Sequence, residues 1–260
     1  MKGIKKRLSK GETLTGCWLN LGSSVTAEIV GLSGFDWVLL DLEHGAGDQK
    51  DLLHQLQALE HTGAASIVRV ESYQKERIHR VLDLGAEGIM CPRVKSAKEA
   101  EEAVKGMHYP ALGIRGVAKM VRATGFGKNF ESYKKETADH ILGVIQIETA
   151  EALKELDQIA ALVGVDVLFI GPADLTMALG IDGNLDHPLF KEAVEKIVAA
   201  ARQAKKATGI LIFDAKDFQK YQDMGIQLIA CGSDATFVAN GARLLAAELN
   251  KMKEPNPLIK

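Results

Sequence analysis

Short runs of β-branched and other apolar residues recur along the chain, each followed by a longer stretch with apolar residues at i, i+3 and i+4. Unbroken apolar runs suit strands buried on both faces, and a 3.6-residue period suits helices packed on one side. Strands are expected at residues 16–20, 37–42, 66–70, 88–94, 142–148, 166–172, 209–213 and 228–232. Helices are expected at 51–61, 74–84, 97–107, 150–162, 188–207 and 236–253. Alternation of this kind predicts a parallel sheet, and eight strands are the number that closes a (β/α)8 TIM barrel. Two stretches break the rhythm, 110–135 and 179–187, and both are expected to be loops long enough for chemistry.

Composition narrows the picture. Of 260 residues, 47% are hydrophobic and 25% charged, which is a globular balance. No apolar run is long enough to cross a bilayer. No linker or low-complexity tract divides the chain, so one domain spanning 1–260 is expected. The formal charge of -2 gives no general attraction to nucleic acid. The basic start at Lys2, Lys5, Lys6 and Arg7 runs on without an apolar stretch, unlike a signal peptide. Three scattered cysteines, Cys17, Cys91 and Cys231, suit a reducing cytoplasm better than a disulfide framework.

The residues that end barrel strands share one mouth, where barrel enzymes do their chemistry. Strand two ends in Asp41-Leu42-Glu43-His44, strand three in Arg69, strand five in Gln146-Ile147-Glu148, and strand six in Gly171-Pro172-Ala173-Asp174. Glu148 and Asp174 end adjacent strands and read either as oxygen ligands of one hard divalent ion or as caps of the helices that follow them. Asp41 and His44 read either as an acid–imidazole pair that moves a proton or as a helix lead-in beside a surface histidine. Arg69 leaves a buried strand and needs an anion, which Asp41, Glu43, Asp83 or a substrate carboxylate would supply. Gly125-Phe126-Gly127-Lys128 lacks the context of a nucleotide loop, and His54 and His61 have only face spacing. No lysine ends strand six, so Schiff-base chemistry ranks second to metal chemistry.

Taken together, Gly34-Phe35-Asp36-Trp37, Asp41-Leu42-Glu43-His44, Arg69, Tyr109-Pro110, Gly113-Ile114-Arg115-Gly116, Gln146-Ile147-Glu148 and Phe169-Ile170-Gly171-Pro172-Ala173-Asp174-Leu175 resemble the HpcH/HpaI class II aldolases over nearly the whole chain. The resemblance implies a barrel that uses Mg2+, Mn2+ or Co2+ to cleave a 4-hydroxy-2-oxoacid into pyruvate and an aldehyde. It implies metal ligands Glu148 and Asp174, pyruvate binding by Arg69, and proton transfer by His44 with Asp41. Asp83 would help hold the catalytic residues, while Trp18 and Leu211 would lie within reach of the aldehyde. Gln146, Gly171, Pro172 and Ala173 complete the expected substrate-binding set. The resemblance also implies a trimer-of-dimers hexamer in which the C-terminal helix, about 236–253, is exchanged between subunits. Competing readings are a CoA-thioester lyase of the citryl- or malyl-CoA kind and a non-catalytic pyruvate- and metal-binding barrel. Members of the family often read Asp-Gly-Glu-His-Ala-Pro where this chain has Asp41 to Ala46, and carry an apolar residue at the place of Arg93. Arg93 is expected to favour an aldehyde with its own carboxylate or to pair with Glu99 or Glu101.

Overall fold

The computed structural model describes residues 2–253. Eight parallel strands close on themselves in sequence order, β1 (Leu14–Leu19), β2 (Trp37–Asp41), β3 (Ala65–Arg69), β4 (Gly88–Cys91), β5 (Leu142–Ile147), β6 (Val167–Ile170), β7 (Ala207–Ile212) and β8 (Leu228–Ser233). Closure pairs Leu14 with Leu228 and Gly16 with Ala230. Every residue of β2, β3, β4, β5 and β6 is buried, because one face packs inside the barrel and the other beneath the helices.

The barrel interior is filled rather than open. Trp18, Trp37 and Phe169 meet there with ring centroids 5.7–6.4 Å apart. Gly16 makes room for this aromatic layer, since a Cβ on it would lie 2.1 Å from the Trp37 ring. A short N-terminal helix, α1 (Ile4–Ser9), places Ile4 and Leu8 against the same interior cluster and seals the end where the strands begin.

The helices are α2 (Ser24–Leu32), α3 (Gln49–Ala58), α4 (Lys75–Asp83), α5 (Ala97–Met107), α6 (Phe130–His140), α7 (Ala150–Lys154), α8 (Leu156–Ala161), α9 (Pro172–Ala178), α10 (Pro188–Gln203), α11 (Phe218–Asp223) and α12 (Asp234–Met252). The expected helix at 150–162 divides at Glu155, and the one expected at 188–207 stops earlier, where Lys205 takes a left-handed φ of 57° and turns the chain into β7. The stretch 110–135 corrects the expectation of a chemical loop. It lies between α5 and β5, at the end where strands begin and remote from the mouth, and it contains a single 3-10 turn at Arg122–Thr124 and the first half of α6. The second break, 179–187, follows α9 on the mouth side of the chain.

Candidate active site

Strand register assembles the centre of the site. Asp41 and Arg69 are direct partners in the β2–β3 pairing, and both end their strands at the mouth. Arg69 forks onto Asp41, with Nε 2.9 Å from Oδ1 and Nη2 2.7 Å from Oδ2. Its third nitrogen, Nη1, lies 3.1 Å from Glu43 Oε2, and Trp18 lies beneath the guanidinium at 5.8 Å. Burial opposes the guanidinium charge, but the hydrogen bonds and charges of Asp41 and Glu43 outweigh it and raise the Arg69 pKa.

Asp41 accepts from five donors in all. Besides Arg69, its oxygens take Asn20 Nδ2 at 2.8 Å and the backbone N–H groups of Glu43 and His44 at 3.1 and 3.3 Å. The expected Asp41–imidazole contact is therefore corrected: Asp41 grips the His44 backbone, and the carboxylate beside the ring is Glu43, with Oε1 3.9 Å from Nε2. Burial, opposed by Arg69 and His44 and reinforced by Asp41 and Asp174, raises the Glu43 pKa. The His44 side chain itself is 65% exposed, open to a substrate or to solvent. The helix lead-in reading fails too, since α3 is capped by Asp48 and Asp51 in a reciprocal pair.

Glu148 follows β5 and is 2% exposed. It is no helix cap, because Thr149 fills that role by accepting from the Ala152 N–H. Instead Oε1 accepts from the Arg93 N–H at 2.7 Å, and Oε2 accepts from Gln146 Nε2. Gly171, which joins β6 to α9, is required by this arrangement, since a Cβ there would come within 2.3 Å of Glu148 Oε2. Asp174 stands in the first turn of α9, after Pro172 and Ala173, and lines a cavity of about 390 Å³ together with Glu148, Arg93 and Lys95. Burial first, then the negative charges of Asp174 and Glu43, pushes the Glu148 carboxyl up to about 7 against the pull of the Arg93 N–H and Arg69. Gln146 Oε1 is buried without a partner.

A buried carboxylate, Glu148, repelled by the half-exposed Asp174 and set beside an orphaned amide oxygen, fits a divalent cation. Among the described residues no group of three or more His, Cys, Asp or Glu converges. The chain offers two carboxylates, which leaves positions for water and substrate oxygens. Leu211 on β7 is partly buried against the interior cluster, and Trp18 within that cluster is 5% exposed.

Asp83 is placed elsewhere. It ends α4, at the opposite end of the barrel from the mouth, and accepts at 2.7 Å from Arg115, whose side chain is fully buried. Within one chain it touches none of the residues above, so the holding role expected of it is not played inside its own barrel. Two contributors have no assignment from the sequence, Asn20 on Asp41 and Asp234, while Glu43, expected only as a partner of Arg69, also stands beside the ring. Asp234 accepts from the Asn20 and Leu21 N–H groups and from Thr26 Oγ1, tying the start of α12 to the end of β1. Burial pushes the Cys17 and Cys91 thiols up to about 12, which disqualifies both as nucleophiles.

Comparison with known proteins gives the family of the chain. Residues 14–241 match the HpcH/HpaI aldolase/citrate lyase family. The chain belongs to that family. It is 38% identical over 255 residues to a hydroxypyruvate/pyruvate aldolase of Agrobacterium fabrum, covering 98% of this chain and 96% of the relative. It is likewise 38% identical to a 4-hydroxy-2-oxo-heptane-1,7-dioate aldolase of Shigella sonnei, over 94% of this chain and 93% of that one. The crystal structure of an HpcH/HpaI aldolase/citrate lyase family protein from Burkholderia cenocepacia superposes with a TM-score of 0.90 at 35% identity, covering 96% of this chain and all of that one. As a member of the HpcH/HpaI family, the chain shares the closed eight-stranded barrel of that neighbour over 96% of its length.

Proposed function

We propose that this barrel is a metal-dependent aldolase that reversibly cleaves a 4-hydroxy-2-oxoacid to pyruvate and an aldehyde. The observation that carries the reading is the convergence of Glu148 and Asp174 on one cavity, with the orphaned Gln146 Oε1 beside Glu148 and Arg69 on a nearby strand end. The two carboxylates would hold Mg2+, Mn2+ or Co2+, as an all-oxygen donor set favours hard ions. When bound, the cation would supply Lewis acidity toward the substrate's 2-oxo group and carboxylate. Arg69, fixed by Asp41 and Glu43, would share the negative charge that develops there. His44 would take the 4-hydroxyl proton as the C3–C4 bond breaks; the electron pair passes into the pyruvate enolate, and the aldehyde departs. Protonation at C3 then yields pyruvate. Gln146 and the Gly171–Ala173 backbone would line the pyruvate side, and Trp18 and Leu211 the aldehyde side.

Pyruvate incubated with a panel of aldehydes should give aldol products with Mg2+, Mn2+ or Co2+ and none after EDTA. Borohydride trapping of pyruvate on a lysine, with activity retained in EDTA, would overturn the metal reading.

The same reading makes the protein a hexamer, a trimer of dimers, in which α12 packs on a neighbouring copy. In support, only Asp234 of the 19 residues of α12 is buried, and Phe237, Val238, Leu244, Leu245 and Leu249 lie exposed. Asp83 would meet a mouth only in a neighbouring copy. Introducing Leu244→Glu with Leu245→Glu should lower the solution mass measured by light scattering, whereas a monomeric wild type would refute the assembly. No helix among the described residues is long and apolar enough to cross a membrane. We place the enzyme in the cytoplasm, in keeping with three cysteines that are all unpaired.

A further inference from the structure

The contacts of Arg93 differ from those expected from sequence. Glu99 is occupied by the Lys95 N–H at 2.8 Å, and Glu101 by Lys105 at 2.7 Å. Arg93 instead faces the two carboxylates. It leaves β4 with a left-handed φ of 55°, a region that non-glycine residues seldom enter, and this aims its N–H at Glu148. Its guanidinium Nη1 lies 3.7 Å from Asp174 Oδ1. One residue therefore touches both members of the pair, Glu148 through the main chain and Asp174 through charge.

These two contacts have different consequences. The N–H remains with any side chain except proline, so a substitution leaves Glu148 anchored. The guanidinium is a built-in positive charge next to a carboxylate that a cation must also use, and like charges there compete. We propose that the Arg93 side chain is a resident counter-ion of Asp174 that weakens cation binding at the Glu148–Asp174 pair. The inference rests on the metal reading of that pair. Its consequence is a cation that exchanges readily, so that the enzyme's occupancy follows the supply of divalent ion. Both side chains are about half exposed or more, at 64% and 49%, so the competition is screened by salt.

Mn2+ titration of the purified full-length protein, followed by calorimetry and by the spin-resonance signal of free Mn2+, tests this without reference to turnover. Arg93→Met, which keeps an unbranched apolar stem but removes charge, should bind Mn2+ about fivefold more tightly than wild type at low salt, the scale of one unit charge near 4 Å in water. Arg93→Gln should do the same, and Arg93→Lys should stay near wild type. The gap between wild type and Arg93→Met should shrink as ionic strength rises, which a purely structural role for the side chain would not produce. Equal or weaker binding by both uncharged variants overturns the inference, as does a gap that salt leaves unchanged. Absence of Mn2+ binding in the wild type and all variants would instead count against the two-carboxylate metal reading itself, which keeps the two failures distinct.

Discussion

Glu148→Gln is expected to abolish cation binding and to lower kcat/KM by about a thousandfold, the upper range for removing one preorganised electrostatic group. The substitution keeps volume at a site that is 2% exposed, so no cavity opens. It removes one of the two carboxylates, Glu148 and Asp174, proposed to hold the cation. The folded protein should tolerate the change, because burial and the charges of Asp174 and Glu43 already disfavour an ionised Glu148 when no cation is bound. Loss of metal and retention of fold can be read in one experiment. A cation at a hundredfold excess over its Kd stabilises the native state by about 2.7 kcal/mol, which for a chain of this size is roughly 5–10 °C in Tm. Wild type should show that shift on adding Mn2+. Glu148→Gln should show none, from a metal-free Tm no lower than that of wild type. A variant that keeps the shift, or keeps activity within tenfold, would remove Glu148 from the metal site.

The strand ends were the most legible part of the molecule. Strands buried on both faces carry a strong signal, and a barrel converts strand order into spatial neighbourhood, so Asp41, Arg69, Glu148 and Asp174 were brought to one mouth by counting alone. The pairing of Asp41 with Arg69 was within reach too, since both close apolar runs on adjacent strands. Side-chain direction in the loops was harder to read. His44 lies three residues beyond Asp41, and only the turn that brings its N–H back onto Asp41 Oδ1 shows that the ring faces Glu43 instead.

Asp83 and the 110–135 stretch exceeded the sequence for another reason. Both lie where helices return to the start of the next strand, and local pattern does not distinguish that end of the barrel from the mouth until each helix is placed. The stretch read as one loop because α6, Phe130–His140, is mostly polar and buries only Phe130, Tyr133 and Thr137. With α12 the opposite happened: its periodic apolar positions look like those of a barrel helix, yet almost none is covered within the chain.

Arg69→Ala is expected to cost about 3–5 kcal/mol of stability as well as most of the activity, because it strands a buried charge. The Asp41 side chain is fully inaccessible, and the fork from Arg69 is its charged partner. Asn20 and two backbone N–H groups would remain, but neutral donors compensate a buried carboxylate only in part. Glu43 would lose the same cation. Arg69→Lys should recover some stability and little activity, since an ammonium cannot reproduce a fork that reaches three carboxylate oxygens. Adding Asp41→Asn to Arg69→Ala separates the two effects. The double variant should regain stability in urea unfolding, as the stranded charge is gone. Turnover should remain lost, because the guanidinium that meets the substrate's developing charge is still missing. If Arg69→Ala unfolds within about 1 kcal/mol of wild type, the range of an exposed pair, the Asp41–Arg69 bridge is not what joins the ends of β2 and β3. If Asp41→Asn restores turnover in the Arg69→Ala background, Arg69 acts on the reaction only by neutralising Asp41.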